Sequence, residues 1–363
     1  MPSVRVNHQG AVLHYEDSGV PFGSKNYHTV FLLHGFLIHG ATFRPLFPYA
    51  SGSNLRFITL NMREYPGSSP LTDTELDRFQ SPDVDLQAAA LRDQGIEVAN
   101  AIAHLIYELN IPSPNVSRGQ RTGGTSIVAW SQSNAYVLAI LANTSKLDPR
   151  VNSILEQHLR IIFLYDPPSM VLGKPLPPGI STVFSDPKLP PAEMPTAFFA
   201  SFSLWFNPLP VPDAVNPRAL QTRYEMREVS PDPRYVPISL RMSADELASV
   251  TSPEIAPRVT MFSFLADEVF AENLRRAIGD TRGAWKEVKI VMLCPDMTHT
   301  VCSFGCKLIH DLAASAPTNG TVKRDCETVQ LPGRNHFWHH EQPQEFVDLL
   351  ARYTQVPRLL ATL

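Results

Sequence analysis

The stretch Ser126-Ile127-Val128-Ala129-Trp130-Ser131-Gln132-Ser133-Asn134-Ala135 decides how the rest of the chain is read. An apolar run, Ser126–Trp130, has the character of a strand buried on both faces, and Ala135–Ala142 is a helix former. Between them stands Ser131. A serine on a sharp strand-to-helix turn has its hydroxyl pushed outward, with the following helix N-terminus aimed at whatever it meets. Such a turn demands small residues two before and two after. Ala129 and Ser133 meet that demand, although the usual pair is two glycines. The bland alternative is an ordinary helix-capping serine. Ser126 is a competing serine, but it lies at the start of the strand, the wrong end for a site on a parallel sheet.

Working outward, the first 160 residues alternate between strands and helices. Residues 3–6 and 11–15 read as a hairpin turning near Gly10. Thr29–Leu33 and Leu55–Leu60 are buried-strand runs, residues 84–109 carry a helical apolar stripe, and Arg160–Tyr165 is a strand stopped by Pro167 and Pro168. Strands alternating with helices imply a mostly parallel sheet flanked by helices. The pattern then breaks. Eighteen of the 33 prolines fall between 166 and 257, among the aromatic cluster Phe198, Phe199, Phe202, Trp205 and Phe206. That much proline is improbable in a sheet core, because each removes a backbone donor. Residues 169–260 therefore read as an inserted lid of short helices and proline-rich turns. The aromatic cluster is either lid packing or the wall of an apolar substrate pocket. Regular structure returns after 260, with helices expected over 266–278, 303–314 and 343–353 and strands over 288–293 and 328–331. The core is thus 1–168 and 261–363.

Two further segments carry chemistry. Phe31-Leu32-Leu33-His34-Gly35-Phe36 is a strand ending in a glycine turn, which can aim the next amide at the serine. Acyl transfer needs two backbone donors converging on the developing oxyanion, and the amides of Phe36 and Gln132 are the natural pair. Leu331-Pro332-Gly333-Arg334-Asn335-His336-Phe337 places His336 in a loop between the last strand and the last helix, where it can take the serine's proton. Its late position fits the order Ser, acid, His. His339 and His340 are expected only to cap or pack.

The chain of 363 residues is 44% apolar and 18% charged, an ordinary globular composition. A net charge of −4, from 35 acidic and 31 basic residues, gives no footprint for nucleic acid. No apolar run approaches the roughly 18 residues needed to span a bilayer. The N-terminus lacks the features of a secretory signal, and the four cysteines match neither a disulfide scaffold nor a common zinc pattern. A cytoplasmic protein with reduced thiols is the plain expectation. The triplets starting at Asn115, Asn143 and Asn319 are then chance matches to a glycosylation pattern. Gly123-Gly124 does not extend to a dinucleotide fingerprint, so no cofactor is implied.

Taken together, HGFLIHGATF at 34–43, NMREYPGSSP at 61–70, AWSQSNA at 129–135, YDPP at 165–168 and PGRNHFWHHEQP at 332–343 resemble the α/β-hydrolase-fold serine hydrolases, and more narrowly a group of fungal α/β-hydrolases of uncertain substrate. The resemblance implies the α/β-hydrolase fold, with 169–260 in the position of the variable lid. Two carboxylates compete as the acid that orients His336. Asp166 ends the sixth core strand, where some members such as haloalkane dehalogenases carry it. Asp296 follows the next strand, the commoner place, but falls one residue short of the usual spacing. Asp166 is favoured. A serine at the elbow disfavours the aspartate-nucleophile chemistry known in the fold.

The expected activity is cleavage of an ester, lactone or thioester of a moderately large apolar small molecule, plausibly a secondary metabolite. Acyl transfer to another acceptor, cyclisation or condensation on the same site is the alternative. A ligand-binding protein without turnover comes behind it, favoured only by Ser133. Nothing in the sequence sets the oligomeric state.

Overall fold

The computed structural model describes residues 1–355 apart from 118–119, 178–179, 181, 184–187, 215, 228, 230–231 and 318–319; the triplet at Asn319 lies outside them. Eight strands form the central sheet: β1 (Ser3–Arg5), β2 (Val12–Asp17), β3 (His28–Leu33), β4 (Leu55–Leu60), β5 (Thr125–Trp130), β6 (Leu159–Tyr165), β7 (Lys289–Pro295) and β8 (Cys326–Leu331). Their spatial order is β1-β2-β4-β3-β5-β6-β7-β8. The first two pairings, β1 with β2 and β2 with β4, are antiparallel, and every other pair is parallel. This is the mostly parallel sheet that the alternation of segments implies, arranged as the family resemblance implies.

Nine helices matter for the site: α1 (Asp73–Gln80), α2 (Val84–Glu108), α3 (Asn134–Ala142), α4 (Pro149–His158), α5 (Met194–Ser203), α6 (Pro217–Glu225), α7 (Asp267–Leu274), α8 (Thr300–Ala314) and α9 (Pro343–Gln355). Every residue of β3, β4 and β5 is buried, as expected of parallel strands covered on both faces. Helix α3, NAYVLAILA, is apolar all round and buried along its whole length, packed against α2 and α7. Helix α7 ends at Leu274 rather than 278, because Arg275–Gly279 widens into a π turn. Helix α8 begins three residues early, at Thr300, where the His299 ring accepts the Val301 amide and starts it.

Two histidines bracket β3. His28 Nδ1 lies 2.8 Å from Gly123 O and Nε2 lies 2.8 Å from Ser126 Oγ. Burial pushes its pKa down to about 4. His34 Nδ1 donates to Gly35 O at 2.9 Å, and Nε2 accepts the Met62 amide at 3.0 Å. Burial drives its pKa down to about 3. Both rings stay neutral in the fold while the unfolded chain protonates them near pH 6.5. Stability therefore falls as pH drops from about 6.5 toward 4, by about 1.4 kcal/mol per pH unit for each ring, and these rings add no pH dependence above that window. Urea midpoints at pH 7.5 and pH 5 test this: the second should be clearly lower, and equal midpoints would contradict it.

Candidate active site

The turn after β5 holds Ser131 at φ +58°, in the left-handed region that non-glycine residues occupy only at a cost of about 1–3 kcal/mol. The chain runs through a short 3-10 turn, Ser131–Ser133, straight into α3. Several contacts hold the strained residue. Asn134 Nδ2 donates to Ser131 O at 2.7 Å and to Tyr165 O at 3.2 Å. The Ser133 hydroxyl lies 3.0 Å from Leu33 O and 2.9 Å from Trp130 O, so it ties the elbow to the end of β3. The serine that departs from the usual glycine thus has a structural use. On the facing loop, a Cβ on Gly35 would come within 3.1 Å of Ser131 Cβ, so glycine is needed there for close approach.

His34 shapes that facing loop. Its Nδ1–H holds Gly35 O, and in a trans peptide this turns the Phe36 N–H to the opposite side. Leu37 follows at φ +58°, and its own amide donates to Tyr65 Oη at 2.9 Å. Phe36, Ser131, Gln132 and His336 are all buried, none more than 6% exposed.

His336 and Asp166 meet. Nδ1 of His336 lies 2.5 Å from Asp166 Oδ2, and Asp166 is wholly buried. The contact puts the ring proton on Nδ1 and leaves Nε2 as the basic nitrogen. Asp166 is itself held at φ +49°, with its amide donating to Leu293 O of β7 at 3.0 Å. Asp296, the other candidate, does not reach the ring. Its Oδ1 accepts the Gly333 amide at 2.7 Å, capping the turn after β8, and burial raises its pKa. Among the described residues the Ser131 hydroxyl makes no hydrogen bond. His339 is a packing residue: it is buried against Phe43 and Trp130, with Nε2 3.2 Å from Thr42 Oγ1.

Three features of the site lie outside the sequence expectations. Trp130 Nε1 and Tyr165 Oη both donate to the carbonyl of His336, at 3.0 and 3.1 Å. These two aromatics immediately precede Ser131 and Asp166 and are register partners across β5 and β6. The strand ends that present the serine and the carboxylate thus also fix the backbone of the histidine. Second, Thr298 Oγ1 donates to the same Asp166 oxygen that His336 uses, while Asp166 Oδ1 has no hydrogen-bond partner among the described residues. Third, Cys302 Sγ lies 3.8 Å from His336 Nδ1, and burial pushes its thiol pKa well up, so it stays protonated. Asp166, His336 and Cys302 form a group whose ligand atoms lie within 4.8 Å of one another. A cation there would first have to break the Asp166–His336 contact.

Above the pair lies α5. Phe202 meets the His336 ring edge-on at 5.1 Å, and Phe198 meets Phe36 at 5.1 Å. From α6, the buried Arg223 donates to Asn207 O, Asp296 O and Ser303 Oγ at 2.6, 2.9 and 2.7 Å. Burial pushes its pKa down to about 10. Among the described residues no helix is long and apolar enough to cross a membrane.

A family model described as "Alpha/beta hydrolase family" matches residues 30–349. The fold is similar to a carboxylesterase of the thaumarchaeon Nitrososphaera gargenis, at 14% identity over 97% of each chain with a TM-score of 0.50. It is also similar to the esterase EaEST from Exiguobacterium antarcticum, at 14% identity over 98% of this chain and 99% of that one, with a TM-score of 0.49. No curated protein matches the chain. With the sheet order, the strained turn after β5 and a family match over most of its length, the chain belongs to the alpha/beta hydrolase family and is an enzyme of that class.

Proposed function

We propose that the protein is a serine hydrolase that cleaves an ester, lactone or thioester of a moderately large apolar substrate. The observation that carries this reading is the buried 2.5 Å contact between His336 and Asp166 beside the strained Ser131 turn. Ser131 Oγ attacks the carbonyl carbon as His336 Nε2 takes its proton. Asp166 keeps the proton on Nδ1 and stabilises the imidazolium that forms. The amides of Phe36 and Gln132 receive the oxyanion. His336 then returns its proton to the leaving group. Water, deprotonated by the same nitrogen, releases the acid and restores Ser131.

Residues 169–260 serve as a lid over the core formed by 1–168 and 261–363. The aromatic face of α5 over His336 and the two bonds by which Arg223 reaches Asp296 and Ser303 of the core support that division. The apolar lid suits an apolar substrate, and the sequence resemblance to fungal hydrolases favours a secondary metabolite. The four cysteines are free thiols, which fits a cytoplasmic protein.

A fluorophosphonate probe tests the reading directly. Wild type is expected to be labelled, with the adduct mapping to Ser131, and Ser131→Ala and His336→Ala should both lose labelling. An unlabelled wild type, or a Ser131→Ala protein labelled equally well, sinks the proposal.

A further inference from the structure

We infer that the acyl part of the substrate is a flexible hydrocarbon chain, held in an apolar channel that leads from the Phe36 loop to the surface beside Phe264. The inference rests on the serine-hydrolase reading above and adds which half of the substrate is long and where it lies.

The inner end of the channel is a cavity of about 210 Å³. Its walls are Leu37 and Ile38, the two residues after Phe36, together with Phe198 and Phe199 of α5 and Leu240 and Leu247. The outer end is a groove of about 790 Å³ past Leu189, Met194, Ala256, Pro257 and Phe264. Pro195, Thr196 and Pro253 line both, so the two spaces adjoin there, and the inferred channel runs between them past Thr196.

The lining chemistry selects hydrocarbon. In the inner cavity the Thr251 hydroxyl is spent on Leu247 O at 2.9 Å, and Ser239 is paired with Ser203 at 2.7 Å. Among the described residues no charged side chain lines the inner cavity, and Glu254 is the one charged residue along the groove. A carboxylate there disfavours an anionic chain end. A substrate with polar groups along its length would strand them against these walls.

Direction follows from the chemistry. The departing group must lie by His336 to receive its proton, and that side is occupied by the rings of Trp130, Phe202 and Phe337, 5.0, 5.1 and 5.5 Å from the imidazole. The other substituent of the carbonyl then points toward Phe36 and Leu37, where the cavity begins. Its floor is fixed: His39 N donates to Val250 O and Ser252 N to Leu37 O, both at 2.9 Å. A preformed apolar slot of this kind favours each added methylene without further ordering of the protein.

The test uses p-nitrophenyl acetate, hexanoate and decanoate, with Thr196→Trp as a block where the two spaces adjoin and Leu240→Trp as a second obstruction from the exposed rim of the inner cavity. In wild type kcat/KM should rise at least about tenfold from acetate to decanoate, and in the blocked variants that ratio should fall by about tenfold or more. Good cleavage of acetate with no gain for decanoate, or a ratio untouched by both variants, overturns the channel and leaves the serine chemistry standing. Titration of methyl decanoate into Ser131→Ala reads the channel without turnover. Binding there that Thr196→Trp abolishes supports the channel even if wild type cleaves no ester, an outcome that would remove only the hydrolase reading. Absence of both cleavage and binding overturns the channel as well.

Discussion

Asp166→Asn is expected to lower kcat about ten-thousandfold with little loss of stability, whereas Asp296→Asn should leave kcat within about tenfold. The asparagine is isosteric, so the turn at φ +49° and the neighbouring Thr298 can keep their places. What changes is the proton. A carboxylate accepts from Nδ1 and leaves Nε2 basic; an amide can present its NH2 to Nδ1, which moves the ring proton to Nε2 and removes the base. The imidazolium formed during attack also loses its counter-charge. Asp296 differs in kind. Its side chain accepts backbone amides, Gly333 foremost, which an asparagine Oδ1 also accepts, and the Arg223 contact goes to its backbone carbonyl. Steady-state kinetics on any ester the wild type cleaves, with urea midpoints for each variant, check both halves. Inverted ranks would move the orienting role to Asp296.

How much of this was legible in the sequence depends on whether the deciding force was local. The strands were, because a parallel strand buried on both faces reads as a near-continuous apolar run, as in Val30–Leu33 of β3, Ile127–Trp130 of β5 and Ile161–Tyr165 of β6. The short helices were less visible, though both signalled their starts. Thr72-Asp73-Thr74-Glu75 is a capping box opening α1, and Asp148-Pro149 is an N-cap followed by proline opening α4. Their shortness and mostly polar composition hid them: only Leu76 and Phe79 in α1, and Val151 and Leu155 in α4, are buried. Choosing between Asp166 and Asp296 was beyond local reasoning, because the choice rests on where two loops from different strand ends meet.

The same holds for the two donors on the His336 carbonyl. Each belongs to a pair easily noticed in the sequence, Trp130-Ser131 and Tyr165-Asp166, but only the register of β5 against β6 shows that they converge. Ser133 is the opposite case. Its identity reads as a steric departure from glycine, while the structure gives its hydroxyl two carbonyls to hold.

Gly305→Ala carries the other large expected effect, and it links stability to the site. Gly305 lies in α8, where that helix presses on the turn that follows Asp166. A Cβ there would stand 2.0 Å from Pro167 O and 3.0 Å from both Pro167 C and Ser169 N. All three are backbone atoms, and the ring of Pro167 fixes its φ, so the turn cannot swing aside as a flexible side chain could. Either α8 moves outward or the turn does. Outward movement opens the packing around Cys302 and Cys306, both buried on this helix. Movement of the turn drags Asp166, one residue away, off His336. Overpacking against backbone is expected to cost about 3 kcal/mol or more, and kcat should drop by over about tenfold because a 2.5 Å contact tolerates little displacement. Gly279→Ala is the control: its Cβ would meet only Leu312 Cδ1, at 3.4 Å, and should change stability by less than about 0.5 kcal/mol. Equal urea midpoints and equal kcat for Gly305→Ala and wild type would mean that the close approach of α8 neither supports the fold nor holds the carboxylate in place. A loss of stability with kcat intact would assign the contact to the fold alone.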